Sequence, residues 1–140
     1  MSALAKSRNT IEMRTGAQQI NRVKTITDGV TLYLGAIGAI AGSTGNAVTA
    51  ADVAGQIVLG VITKIDTDTN LVSFQSGMFG FDNGSSGEAL DAADLQKVVY
   101  VVDDHTVGAV GGSNNVKAGV LRDIDAAGIC WVEVGNIRVV

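Results

Sequence analysis

A chain of 140 residues and 14.3 kDa, 46% hydrophobic, has the length of one domain and can bury roughly 65–70% of its unfolded surface without a metal or disulfide. That apolar content excludes disorder, the absence of Pro excludes collagen, and a lone Cys excludes an internal disulfide. No stretch approaches the roughly 18 uninterrupted apolar residues of a membrane span, and the opening MSALAKSRNT lacks the apolar core of a signal peptide.

The net charge of −4 is unevenly spread. Residues 1–24 carry +4 through Lys6, Arg8, Arg14, Arg22 and Lys24 against Glu12, whereas residues 25–140 carry −8. A basic leader on an acidic body implies different neighbours for the two parts, and we place a basic arm at residues 1–22 and a single β domain at 23–140. The arm suits an acidic protein surface. Phosphate would repel the acidic body, and no aromatic residues interleave with the bases, so direct nucleic-acid binding is not expected.

Helical signals are short: residues 2–21 allow an amphipathic piece and residues 89–95 one turn. Strand signals follow in number. Residues 30–34 alternate and stop at Gly35; residues 36–45 read as a strand running into a Gly-rich turn. Further strands are predicted over 57–65, 71–75, 97–102, 117–124 and 129–134, each bounded by Gly, Asn, Asp or Ser. Val, Ile and Thr supply 41 residues, and Gly another 18, about twice its usual share of roughly 7%. Short strands without long helices predict an all-β fold: a compact antiparallel β-barrel or jelly-roll-like sandwich with an N-terminal arm.

A weak repeat refines this reading. Gly60-Val61-Ile62-Thr63-Lys64-Ile65-Asp66 matches Gly119-Val120-Leu121-Arg122-Asp123-Ile124-Asp125, 59 positions later, and each is followed by a polar turn and a second strand. Two similarly built hairpins are expected, with Asp opening each turn because its carboxylate accepts nearby backbone N–H groups.

The search for chemistry finds little. Asp66-Thr67-Asp68-Thr69-Asn70 imitates the start of a calcium loop, but Leu71 and Gly77 stand where that loop needs Gly and Glu. Asp103, Asp104 and His105 have the donor types of a divalent-ion site or an acid–base pair. Being consecutive, they alternate between faces in an extended strand, so a polar turn is expected and no metal or cofactor site is assigned. Cys130, inside an alternating run, reads as inert core, and neighbouring Trp131 as either a core plug or an interface anchor. Gly35, Gly38 and Gly42 do not fit the dinucleotide fingerprint, and Asn83-Gly84-Ser85 reads as a loop despite its sequon form. No enzyme activity is expected.

Several segments together resemble the small cement, or head decoration, proteins of tailed phages. They are residues 29–36, Gly60-Val61-Ile62, residues 92–107 with Val98-Val99-Tyr100-Val101-Val102-Asp103-Asp104-His105-Thr106-Val107, residues 118–125, and Gly128-Ile129-Cys130-Trp131-Val132-Glu133-Val134. The likeness runs in order over about residues 25–135. It implies a structural virion protein that binds a major capsid protein of the HK97-type fold, stabilises the head and self-associates as a homodimer or homotrimer. Such a protein is made in the host cytoplasm and ends on the outer surface of the capsid, with no membrane contact. Lys6, Arg8 and Arg14 are the candidate capsid-binding residues. The alternatives are another phage structural protein, of the tail or fibre base, and a β-barrel ligand-binding module.

Overall fold

The computed structural model describes residues 3–8, 12–13 and 21–135, residues 12 and 13 by backbone alone. Eleven strands form among them: β1 (Glu12–Met13), β2 (Asn21–Thr25), β3 (Ile37–Ala41), β4 (Ala47–Thr49), β5 (Gln56–Asp66), β6 (Leu71–Gln75), β7 (Gly77–Asn83), β8 (Val98–Asp103), β9 (Thr106–Gly108), β10 (Lys117–Ile124) and β11 (Cys130–Val134). Two single-turn 3-10 helices form, Ser86–Glu88 and Ala92–Asp94, and the second lies within residues 89–95, where one turn of helix was expected. The fold is all-β, and it is a barrel fold rather than a jelly roll.

One topology is used twice. The first half orders its strands β2-β6-β5-β3-β4, and the second β7-β11-β10-β8-β9, with every neighbour antiparallel. The second half closes into a five-stranded ring because β9 returns beside β7, pairing Thr106 with Asp82 and Val107 with Asn83 in parallel. In the first half the same closure is a single parallel bridge between Ile26 and Ala47, supported by Thr27 N–H donating to the Ala47 carbonyl at 3.0 Å. A ring with an odd number of strands cannot alternate direction all the way round, so one pair must run parallel. β1 lies outside the ring scheme, antiparallel to β7 through Glu12 and Phe79.

The 59-residue repeat is the structural core of both rings. In the first ring the register slips around residue 59 against β3 and around residue 63 against β6; in the second it slips around residues 118 and 122, against β8 and β11. Each bulge therefore recurs 59 positions later. Gly60 and Gly119 sit beside these bulges because a Cβ at either position would collide with the facing carbonyl, of Gln75 and Glu133 respectively. Each hairpin then turns on its aspartate: Asp66 Oδ1 accepts from Asp68 N–H and Thr69 N–H, and Asp125 Oδ1 from Ala127 N–H and Ile129 N–H.

The slip at Gly60 lets β5 serve two cores. Val61, with Ile37 and Ala39 of β3, packs into the larger cluster, among Phe79, Phe81, Val99, Val101, Leu121, Val132 and Val134 of the second ring. Ile62 faces the other way, into the smaller cluster of Ile26, Ala36, Ala47, Val72 and Phe74 inside the first ring. The two rings thus share one wall. Gly38 is required on that wall because the Phe74 ring occupies the space a Cβ would take.

Two expectations fail. Residues 30–34 form no strand; Val30 and Leu32 alternate because they pack against the smaller cluster, while the backbone pairs with no sheet. Residues 3–8 are not helical, and the rest of the expected amphipathic piece is strand, at Glu12–Met13 and at Asn21 of β2, or lies outside the described residues.

Gly60→Ala and Gly119→Ala are each expected to lower unfolding free energy by about 1–3 kcal/mol through overpacking against backbone, measured by urea denaturation. The hairpin aspartates make a second prediction. Backbone N–H donation from Thr69 holds the Asp66 carboxyl below its ordinary value of 3.8, and donation from Ile129, with the Trp131 indole, does the same for Asp125. A lowered folded-state pKa gives stability that is present above about 3.8 and lost as pH falls through the folded-state value. Asp66→Asn and Asp125→Asn should flatten the acid limb of the stability–pH curve and leave the slope near neutrality unchanged.

Candidate functional site

The polar residues of the second ring gather where that ring closes. β8 ends at Asp103, the chain reverses through Asp104 and His105, and Thr106 begins β9 against Asp82 of β7. The polar turn expected here is present, but the inference that its side chains diverge is corrected. Alternation holds only in extended chain, and a two-residue reversal brings all three inward. One ligand atom from each of Asp103, Asp104 and His105 lies within 4.8 Å of the others.

His105 organises the cluster. Its Nδ1 stands 2.8 Å from Asp82 Oδ2, its Nε2 stands 3.4 Å from Asp103 Oδ1, and its backbone N–H donates to the same Asp103 oxygen at 3.0 Å. The Asp82 N–H donates to the His105 carbonyl, so the parallel pair that closes the ring also fixes the imidazole beside its carboxylate. Asp103 and Asp104 are only 6% and 3% exposed, unusual burial for two adjacent acids. Burial pushes the Asp104 carboxyl above the ordinary value of 3.8, opposed by the Leu4 N–H that donates to its Oδ1 at 2.7 Å. Asp103 Oδ2 is buried and has no hydrogen-bond partner among the described residues.

The leader reaches this cluster. Besides the Leu4 bond, Arg8 Nη1 lies 3.5 Å from Asp82 Oδ2. The Arg8 N–H donates to the Leu34 carbonyl, and Ser7 Oγ accepts from the Leu34 N–H, so the same segment is held to the first ring. Leu4 packs against the smaller core cluster. The Ile37 N–H donates to the Asp104 carbonyl at 2.7 Å, joining the two rings at the same point. Between leader and wall lies a cleft of about 410 Å³ lined by Ser7, Arg8, Leu34, Ile62, Thr63 and Phe79.

Of the residues singled out for capsid binding, Lys6 is exposed, Arg8 is half-buried in its pairing with Asp82, and Arg14 lies outside the described residues. Sequence reasoning missed Asp82 and Leu4, because no local pattern links a strand acid or a leader amide to a partner 23 or 100 residues away. Trp131 is buried, and its Nε1 donates to Asp125 Oδ2 at 3.2 Å; it lies beside Gly80, where a Cβ would collide with Ile129 Cγ2.

Cys130 is fully buried, and burial together with Asp125 and Asp82 pushes its thiol up to about 11. The folded protein should therefore resist alkylation by iodoacetamide at pH 8 over hours, and the denatured chain should react within minutes; equal rates would contradict the packing. No protein-family model, curated protein or solved structure matches the chain.

Proposed function

We propose that the chain is a structural virion protein, a cement protein that binds the outside of a phage head and holds neighbouring capsid subunits together. The observation that carries this reading is the outer face and edge of β2. Val23 is 58% exposed, and Leu71 on the adjoining β6 is 36% exposed, beside Lys64 and Ser73. Among the described residues, β2 pairs on one side only, with β6, as far as the Ile26 bridge. Two exposed apolar side chains beside a strand edge that is unpaired among the described residues are suited to adding a strand from another chain, where main-chain hydrogen bonds give affinity and alternate side chains give specificity.

The segment resemblance to cement proteins supports the same reading, and so do the mechanics of the fold. Two rings sharing a wall form a stiff body that loses little conformational entropy on docking. A clamp that touches two subunits turns the second contact into an effectively intramolecular one, and self-association into a dimer or trimer extends that gain. The exposed Lys6 fits an acidic capsid surface, while the acidic body leaves the particle exterior negative.

Co-sedimentation of the purified protein with expanded phage heads stripped of their decoration tests the proposal. The protein should pellet with the heads, and Val23→Asp combined with Leu71→Asp should reduce pelleting at least tenfold while the far-ultraviolet circular dichroism is unchanged (about 1.4 kcal/mol of binding free energy or more). A protein that never pellets with such heads is not a cement protein.

A further inference from the structure

We propose, resting on the reading of β2 as a strand-accepting edge, that the strand it accepts is an acidic segment of another protein. Carboxylates at alternate positions of that segment face Arg22 and Lys24, and an apolar side chain between them faces Val23. The ring closure sets the phase of the edge. The Ile26 N–H donates to the Asn70 carbonyl, so the backbone groups of Lys24 and Arg22, at every second residue, are likewise turned to β6. Those of Asn21, Val23 and Thr25 are then turned away from it. Thr27, in the same phase, shows what such a group does beside a neighbour: its N–H donates to the Ala47 carbonyl at 3.0 Å. β4 runs parallel to β2 from that point. The chain before Ala47 doubles back onto β3, with the Ala41 N–H donating to the Asn46 carbonyl. Among the described residues, the lane beside Asn21–Thr25 therefore holds no strand over five residues, or about 17 Å.

Charge selects the occupant of that lane. Arg22, Lys24 and Ile26 share one face of β2, and Val23 lies on the other. Among the described residues Arg22 donates to two carbonyls, of Leu59 and Gly135, and half-buried Lys24 forms no ion pair. Two positive charges thus stand on one strand face with no carboxylate paired to either. On the outer face, Asp66 is taken up by the Asp68 and Thr69 N–H groups of its own turn. A cleft there of about 110 Å³, between Val23 and Leu71, has room for one apolar side chain. A second copy of the chain fits this edge badly. Two-fold pairing of β2 with itself, centred on Arg22, Val23 or Lys24, sets Arg22 against Arg22, Arg22 against Lys24, or Lys24 against Lys24. Like charges directly opposite destabilise a sheet. An acidic strand turns the same contacts attractive in each of these registers.

Nuclear magnetic resonance of the full chain at low ionic strength tests this with the end-capped peptide Ser-Thr-Glu-Val-Glu-Thr-Ser and its counterpart carrying Lys at both Glu positions. The acidic peptide should bind with a Kd below about 1 mM, shift the Val23 and Thr25 amides most, and slow their exchange with solvent. The lysine peptide should bind at least tenfold more weakly. Lys24→Glu, with an unchanged far-ultraviolet circular dichroism spectrum, should weaken the acidic peptide by at least tenfold as well. Affinities for the two peptides within twofold of each other overturn the proposal, as does binding of neither at about 2 mM, or shifts centred away from β2. So do Val23 and Thr25 amides already protected without peptide, because this chain or a second copy of it then covers the edge. Co-sedimentation with phage heads is a separate readout: a chain that prefers neither peptide can still pellet with heads, and one that prefers the acidic peptide can fail to, so the two failures are told apart.

Discussion

Closure governs this molecule. Five strands cannot form a ring with every neighbour antiparallel, so each half must accept one parallel contact. In the first half that contact is a single apolar bridge from Ile26 to Ala47. The second half uses a two-residue parallel pairing of β7 with β9, and the chain gets there through the tight reversal at Asp104 and His105. The polar side chains of that reversal have nowhere to go but inward, toward Asp82, the leader and the first ring. The cluster is thus a consequence of how the second ring is shut.

The shared wall explains why two rings behave as one body. Val61 belongs to the core of the second ring and Ile62 to the core of the first, so neither ring buries its apolar surface without the other. Polar ties cross the same boundary at separate places. Arg22 Nη1 donates to the Leu59 carbonyl and to the Gly135 carbonyl, and Asp52 accepts from Ser113 N–H and Asn114 N–H. Arg22 sits within the stretch assigned to the arm from charge alone, but its side chain bonds to the chain on both sides of the boundary.

What the sequence disclosed was local. The two hairpins were visible because apolar alternation, a Gly and a turn-opening Asp all lie within sixteen residues of one another. β7 was missed because Gly77 and Gly80 interrupt the pattern, and a Cβ at Gly80 would collide with Ile129, a residue 49 positions away. β2 was hidden among basic residues that suggested an arm. Residues 30–34 show the reverse error: alternation reports one buried face, not a paired backbone. The Asp103–Asp104–His105 trio had the donors of an ion site in plain view. Its convergence depended on the reversal, and its completion on Asp82, neither of which spacing along the chain records.

The leader's bonds have a consequence for how the molecule is made. Leu4 donates to Asp104, a partner 100 residues downstream, and Arg8 leans on Asp82. During synthesis Leu4 leaves the ribosome 100 residues before Asp104, so this bond cannot form until β8 and the reversal after it have been made. The leader is thereby anchored to the second ring only after its contacts with Leu34 of the first ring are available.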